Sequence, residues 1–220
     1  MTSIAQRLMG NPAFSQIYER LWRPVFTRAF SLGGSATADY DRALRAYLAR
    51  PSDQMVLDLA CGPGNYSADA AAGLTGDGRY VGLDFSPAML AEARRRHPDP
   101  RLTYLRADAH RLPFPDGSFD TVMCLAALYL IPDPLPVLDE MARVLKPGGE
   151  LIVFTSVRAS IAALPGAEAM AGLSGLRIFG RHELLMRLES LGLEHVEQTI
   201  TGIGQYLHAR RPLGTEPTQG

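Results

Sequence analysis

The chain is short of several things, and each shortage excludes a class of protein. Among 220 residues there are two cysteines and one tryptophan. Cys61 and Cys124 lie far apart with no CxxC spacing, so neither a disulfide framework nor a cysteine zinc site is expected. Two unpaired thiols suit a reducing cytoplasm. Net charge is almost absent: 22 Lys and Arg against 23 Asp and Glu leave -1. That balance removes the electrostatic footprint of a general nucleic-acid binder. No apolar run approaches the ~20 residues of a bilayer span, and the longest, Thr121 to Ile131, falls well short of it. Met1 to Gly10 lacks an apolar core followed by a small-residue cleavage site, so no signal peptide is expected. Internal repeats are absent as well. What remains is 46% hydrophobic and 20% charged, a globular composition at a length that suits one domain.

Phe14, Ile17, Tyr18, Leu21, Trp22, Val25 and Phe26 recur at helical spacing, interrupted by Pro24. Gly33-Gly34 breaks the chain, and Asp39 to Ala49 resumes a helical pattern. From there strands and helices alternate. Strands are expected at Met55–Leu59, Tyr80–Leu83, Leu102–Leu105, Phe119–Leu125 and Glu150–Thr155. Helices are expected at Tyr66–Leu74, Pro87–His97 and Leu135–Leu145, the last stopped by Lys146-Pro147-Gly148-Gly149. Such units imply parallel pairing, right-handed crossovers and helices on both sheet faces. The pattern of Ile161 to Gly175 is small-residue rich and indicates neither helix nor strand. A helix over His182–Ser190 then precedes two strands, Leu193–Ile200 and Gln205–Ala209, read as an antiparallel hairpin at one sheet end.

Gly62-Pro63-Gly64 lies between the first strand and its helix, where small residues let the backbone approach a ligand closely. Asp84 follows the second strand, where a carboxylate accepts both hydroxyls of a ribose. Dinucleotide enzymes share these two features. Asp58 separates the alternatives, because a carboxylate beside this loop repels a pyrophosphate and attracts a cation. Ser67 also stands where the dinucleotide pattern has its third glycine. S-adenosylmethionine carries positive charge and an adenosine, so the charge argument favours it over NAD.

Asp58-Leu59-Ala60-Cys61-Gly62-Pro63-Gly64 resembles the first motif, (D/E)xGxGxG, of class I S-adenosylmethionine-dependent methyltransferases, with Ala60 where glycine is usual. Gly82-Leu83-Asp84-Phe85-Ser86 with Met89-Leu90 resembles the second motif, and Arg106-Ala107-Asp108-Ala109 with Leu112-Pro113-Phe114 the third. Phe119-Asp120 and Leu145-Lys146-Pro147-Gly148-Gly149 complete the order. The group that looks nearest is that of small methyltransferases resembling ubiquinone and menaquinone biosynthesis enzymes. The resemblance implies an α/β, Rossmann-like, doubly wound sheet of seven strands, mostly parallel with an antiparallel strand in the terminal hairpin. It also implies a cofactor at the strand C-termini. The expected cofactor contacts are Asp58, Ala60, Gly62, Gly64, Asp84, Asp108, Ala109 and Leu125. Phe85 and Met89 would flank the adenine, or else serve as ordinary helix packing. Residues 1–50 are read as a helical cover, 51–212 as the cofactor-binding domain and 213–220 as a loose tail.

Tyr129 follows the fourth strand, where related enzymes often face the acceptor. It is read either as a substrate-orienting hydroxyl or as packing. His110, beside Asp108, is the other candidate base. Tyr18 and Trp22 would contact substrate if the N-terminal stretch is a lid, although a plain covering helix fits equally. The remaining histidines suggest no metal site. The leading expectation is transfer of a methyl group to oxygen or activated carbon of a small molecule. The rivals are a cofactor-binding protein without transfer activity, acting as sensor or partner subunit, and an NAD-linked oxidoreductase, disfavoured by Asp58. No nucleic-acid partner and no membrane span are expected.

Overall fold

A computed structural model describes residues 36–158 and 177–214. Tyr18, Trp22 and the stretch from Ile161 to Gly175 lie outside the described residues. The elements are α1 (Ala36–Leu48), β1 (Met55–Leu59), α2 (Ser67–Gly73), β2 (Arg79–Asp84), α3 (Pro87–Arg96), β3 (Leu102–Arg106) and β4 (Phe119–Leu125). A short 3-10 turn (Leu128–Leu130), α4 (Leu135–Val144), β5 (Leu145–Ser156), α5 (Glu183–Ser190), β6 (Glu194–Thr201) and β7 (Gly204–Arg210) follow. The strands form one 7-stranded sheet in the order β3-β2-β1-β4-β5-β7-β6. β1 to β5 are parallel, and β7 runs antiparallel between β5 and β6. The expected architecture is therefore the observed one.

Side-chain alternation along the strands divides the core into two layers. Leu57, Leu59, Leu83, Val122, Cys124, Leu151, Val153 and Leu207 pack with Val137, Leu138 and Met141 of α4 and with Leu184 and Leu188 of α5. Val56, Tyr80, Leu102, Tyr104 and Met123 face the other way, against Leu44 and Leu48 of α1, Ala70 of α2, and Leu90 and Ala93 of α3. Helices thus cover both faces, and each strand-to-helix loop is left at the carboxyl edge of the parallel strands. No helix among the described residues is long and apolar enough to cross a membrane.

Most boundaries shift by one to three residues, and one differs by more. β5 begins at Leu145 rather than Glu150, because Leu145 pairs with Phe119 before the register shifts and Glu150 pairs with Thr121. Lys146 to Gly149 form a bulge within this strand, with Gly148 at φ 77. The Lys146 ammonium holds both carboxylate oxygens of Asp120 beneath the bulge, at 2.9 and 2.8 Å.

Gly73 sets how closely α1 and α2 approach. A Cβ added there would lie 2.1 Å from the Leu48 carbonyl oxygen and 2.7 Å from that of Arg50. Backbone atoms on both sides leave no rotamer to relieve the overlap. Gly73→Ala is therefore expected to destabilise the fold by about 3 kcal/mol or more, an overpacking effect. Urea unfolding reads this directly, and a variant with an unchanged midpoint would contradict the close approach.

Candidate active site

The loop after β1 is built on left-handed backbone: Ala60, Gly62 and Gly64 have φ of 58, 56 and 77. The two glycines serve different ends. A Cβ at Gly62 meets nothing within 4 Å, so its face is open to a ligand, whereas one at Gly64 would lie 2.7 Å from Ser67 Oγ and 3.2 Å from the Tyr104 hydroxyl. Gly64 is thus needed for packing under the loop and Gly62 for access over it. Ala60 holds a conformation that disfavours any side chain. Ala60→Gly should relieve that strain and stabilise the fold by up to about 1 kcal/mol, after the greater backbone freedom of glycine in the unfolded chain is subtracted. Thermal unfolding checks it: a lower Tm would show that Ala60 is not strained.

β2 ends in Asp84, which organises the turn. Its Oδ2 accepts the Gly62 N–H at 2.9 Å and its Oδ1 accepts the Ser86 N–H at 2.8 Å. Burial raises the Asp84 pKa above the ordinary carboxylate value, opposed by the N–H groups of Ser86, Gly62 and Phe85. Ser86 caps α3 by accepting the Met89 N–H at 3.4 Å. Phe85, just outside this cap, is 43% exposed at the same edge. The Arg106 guanidinium lies 5.4 Å from its ring centroid. Met89, in the first turn of α3, is 6% exposed.

Asp58 lies beneath the glycine loop. It is 2% exposed, and its Oδ2 accepts the hydroxyl of the fully buried Tyr80 at 2.6 Å. Burial pushes this carboxyl up to about 7, the Tyr80 hydrogen bond opposing the rise and the Asp84 charge adding to it. Three carboxylates therefore sit at or just below the ends of β1, β2 and β3, but at different depths. The third, Asp108, has a side chain that is 64% exposed.

Asp108 Oδ1 accepts the His110 N–H at 3.0 Å and contacts His110 Nδ1 at 2.8 Å. The opposite ring nitrogen, Nε2, reaches the Pro132 carbonyl oxygen at 2.8 Å and that of Asp133 at 3.2 Å. Acceptors on both sides favour the doubly protonated ring. Burial lowers the His110 pKa, but the Asp108 hydrogen bond and the two carbonyls outweigh it and the net direction is up. Asp108 moves down, held first by the His110 N–H and then by the ring. His110 thus ties the loop after β3 to the loop after the 3-10 turn, with both ring nitrogens turned to protein oxygens. Tyr129 takes the packing alternative in its surroundings. It is 3% exposed and packed in the α4 layer, since the 3-10 turn directs it and Leu128 inward. Leu125 and Ala109 are partly buried at the ends of β4 and of the β3 loop.

Several residues here carry no motif. α1 grips the turn after the glycine loop: Arg45 Nη1 donates to the Asn65 carbonyl at 3.1 Å and to Asp69 Oδ2 at 2.6 Å. The Tyr66 hydroxyl donates to Asp41 Oδ1 at 2.8 Å. The role of Tyr80 was likewise unforeseen, although it left a trace in sequence as a polar group in an otherwise apolar strand core; Arg106 lies in the third motif, but its place over Phe85 was not foreseen. No group of His, Cys, Asp and Glu among the described residues could hold a metal ion.

Residues 57–153 match the family described as "Methyltransferase domain". The chain is 30% identical over 209 residues to phthiotriol/phenolphthiotriol dimycocerosates methyltransferase 1 of Mycobacterium ulcerans, a match that takes in 83% of this chain and 76% of that protein. It is 42% identical over 146 residues to a demethylmenaquinone methyltransferase of Beutenbergia cavernae, covering 66% of this chain and 51% of the relative. The chain thus spans about half the length of the latter. Among solved structures, an S-adenosylmethionine dependent methyltransferase from Mesorhizobium loti aligns with a TM-score of 0.62 at 25% identity, over 77% of this chain and 96% of that one.

Proposed function

The chain belongs to the class I S-adenosylmethionine-dependent methyltransferases, and from that premise we propose that it transfers a methyl group from S-adenosylmethionine to an oxygen or activated carbon of a small molecule. The observation that carries this reading is the open face of Gly62 above a buried Asp58, with Asp84 beside it. That arrangement fits a cationic adenosyl ligand: the loop admits a close approach, and the carboxylates attract its charge. Asp84 would take the ribose hydroxyls, and Asp108, whose Oδ1 is engaged by His110, would offer its other oxygen to the adenine amino group. Phe85 would present its exposed face to the adenine. Ala60, Gly64, Ala109 and Leu125 would shape the walls, and Met89 would flank the adenine together with Phe85.

The donor supplies a methyl carbon on positively charged sulfur that departs as a neutral thioether, so no proton is needed by the leaving group. The protein's part is then chiefly to hold the acceptor in line and to exclude water. Residues 1–50, through α1 and its grip on Asn65 and Asp69, would cover the acceptor side, with Tyr18 and Trp22 touching substrate. Tyr129 and His110 act in this reading as supports of the site rather than as bases. Relatives named for demethylmenaquinone and for phthiotriol dimycocerosates favour a small organic acceptor over nucleic acid, as does the near-zero net charge. Unpaired Cys61 and Cys124 favour the cytoplasm.

Incubation with labelled donor and a panel of phenols, quinones and enolisable carbon acids tests the transfer. A methylated product is expected from at least one class. Donor binding with no transfer to any of them, under conditions where a related enzyme turns over, would favour a binding protein instead.

A further inference from the structure

Asp58 is a buried acid, and no cation among the described residues reaches it. The titratable groups around it are Tyr80 and Asp84 of β2, Cys61 and Tyr66 of the glycine loop, Tyr104 of β3 and Cys124 of β4. These are phenols, thiols and a second carboxylate. Arg94 of α3 bears on Cys61 and Tyr104 and is held by the Tyr104 carbonyl at 2.6 Å. One short hydrogen bond, from the Tyr80 hydroxyl at 2.6 Å, is what the described residues give the carboxylate. Beside it, Ser67 Oγ and the Tyr104 hydroxyl are buried polar atoms within reach of Tyr80 and of each other. A buried carboxylate is stable as an anion only when a counter-charge is supplied. The described residues offer none, which leaves a place for a ligand's positive charge.

We propose that Tyr80 is a positioning residue and that Tyr80 and Asp58 together form a proton-coupled seat for the donor's positive charge: the carboxyl proton leaves to solvent as the cation arrives, and the Tyr80 hydroxyl keeps the resulting carboxylate aimed at the loop. The proposal rests on the donor-binding reading above. Its chemistry is a single proton exchange, carboxyl to carboxylate, with the positive charge of the proton replaced by that of the ligand. Burial already places the carboxyl at about 7 without donor, so the exchange falls within a pH range open to titration of the folded protein. Below that point the donor competes with a proton, and above it the seat is ready.

Calorimetric titration with S-adenosylmethionine in buffers of differing ionisation enthalpy measures the exchange. A fraction of a proton is expected to be released at about pH 7 and almost none at about pH 8.5. Donor affinity should fall about tenfold per pH unit below the inflection. 5′-Methylthioadenosine, which lacks both positive groups, should bind with no proton release and little pH dependence. Tyr80→Phe removes the bond that favours the anion, so its inflection should move to higher pH. At about pH 7 it should bind the donor at least tenfold more weakly, and near pH 8.5 most of that loss should be recovered. A Tyr80→Phe protein weakened by the same factor at every pH would show a merely structural tyrosine and overturn the proposal. Equal proton release with both ligands, or pH-independent donor binding by the unaltered protein, would overturn it without any variant. Failure of every adenosyl ligand to bind at any pH would instead remove the donor site itself.

Discussion

Asp58→Asn should make the ligand-free protein more stable above about pH 7 while weakening donor binding by about 3 kcal/mol or more, the range for losing a buried charge partner. The stability half follows from linkage. The folded-state carboxyl lies at about 7 against 3.8 ordinarily, so between those values the folded chain binds the extra proton. Stability from this group is complete below the unfolded value and is lost as pH rises through the folded one. At about pH 8 the whole penalty applies, about 4 kcal/mol at its ceiling at 1.36 kcal/mol per unit. Asparagine escapes it but buries an amide N–H2 that needs a partner, so a net gain of about 1–3 kcal/mol is expected. At about pH 5, where the folded carboxyl is already protonated, only about a third of that penalty remains and most of the variant's advantage should disappear. Urea unfolding at the two pH values reads the sign, and a variant less stable than its parent at about pH 8 would refute the buried-anion account.

Asp84→Ala should weaken donor binding by about 1–3 kcal/mol, since the ribose would lose its acceptor. The structure adds a second consequence. Asp84 also accepts the N–H groups of Gly62 and Ser86, so truncation frees the crown of the glycine loop and the entry to α3. Asp84→Asn keeps an acceptor for one of these and should lose less affinity than the alanine variant. Equilibrium binding of S-adenosylhomocysteine compares them. Unchanged affinity in Asp84→Ala would take this residue out of the site.

Much of this was legible in the residues. Short apolar runs closed by glycine, as in Met55–Leu59 followed by Gly62-Pro63-Gly64, mark a strand, its end and the approach of a ligand together. The terminal hairpin was equally plain from Thr201-Gly202-Ile203-Gly204 between two alternating runs, and β7 does insert beside β5. The depth of side chains was not legible. Asp58, Asp84 and Asp108 read alike as acids at strand ends, yet only Asp58 lies under the loop, because its register places it on the Val56 and Tyr80 face toward α1 to α3. Tyr129 and His110 illustrate the same limit. Whether a polar group faces a cleft or a carbonyl depends on partners brought from distant loops, such as Pro132 and Asp133 for His110. The bulge at Lys146–Gly149 was taken for a helix stop, since Pro-Gly-Gly signals a turn without revealing that Leu145 already pairs with Phe119.

The most direct measurement is a pair of calorimetric titrations, one with S-adenosylhomocysteine and one with NADH, on the same preparation at about pH 8. Saturable one-site binding of the thioether with no response to the dinucleotide is the predicted result, because the acids around the loop welcome an ammonium and repel a pyrophosphate. Tight NADH binding with no heat from the thioether would contradict it.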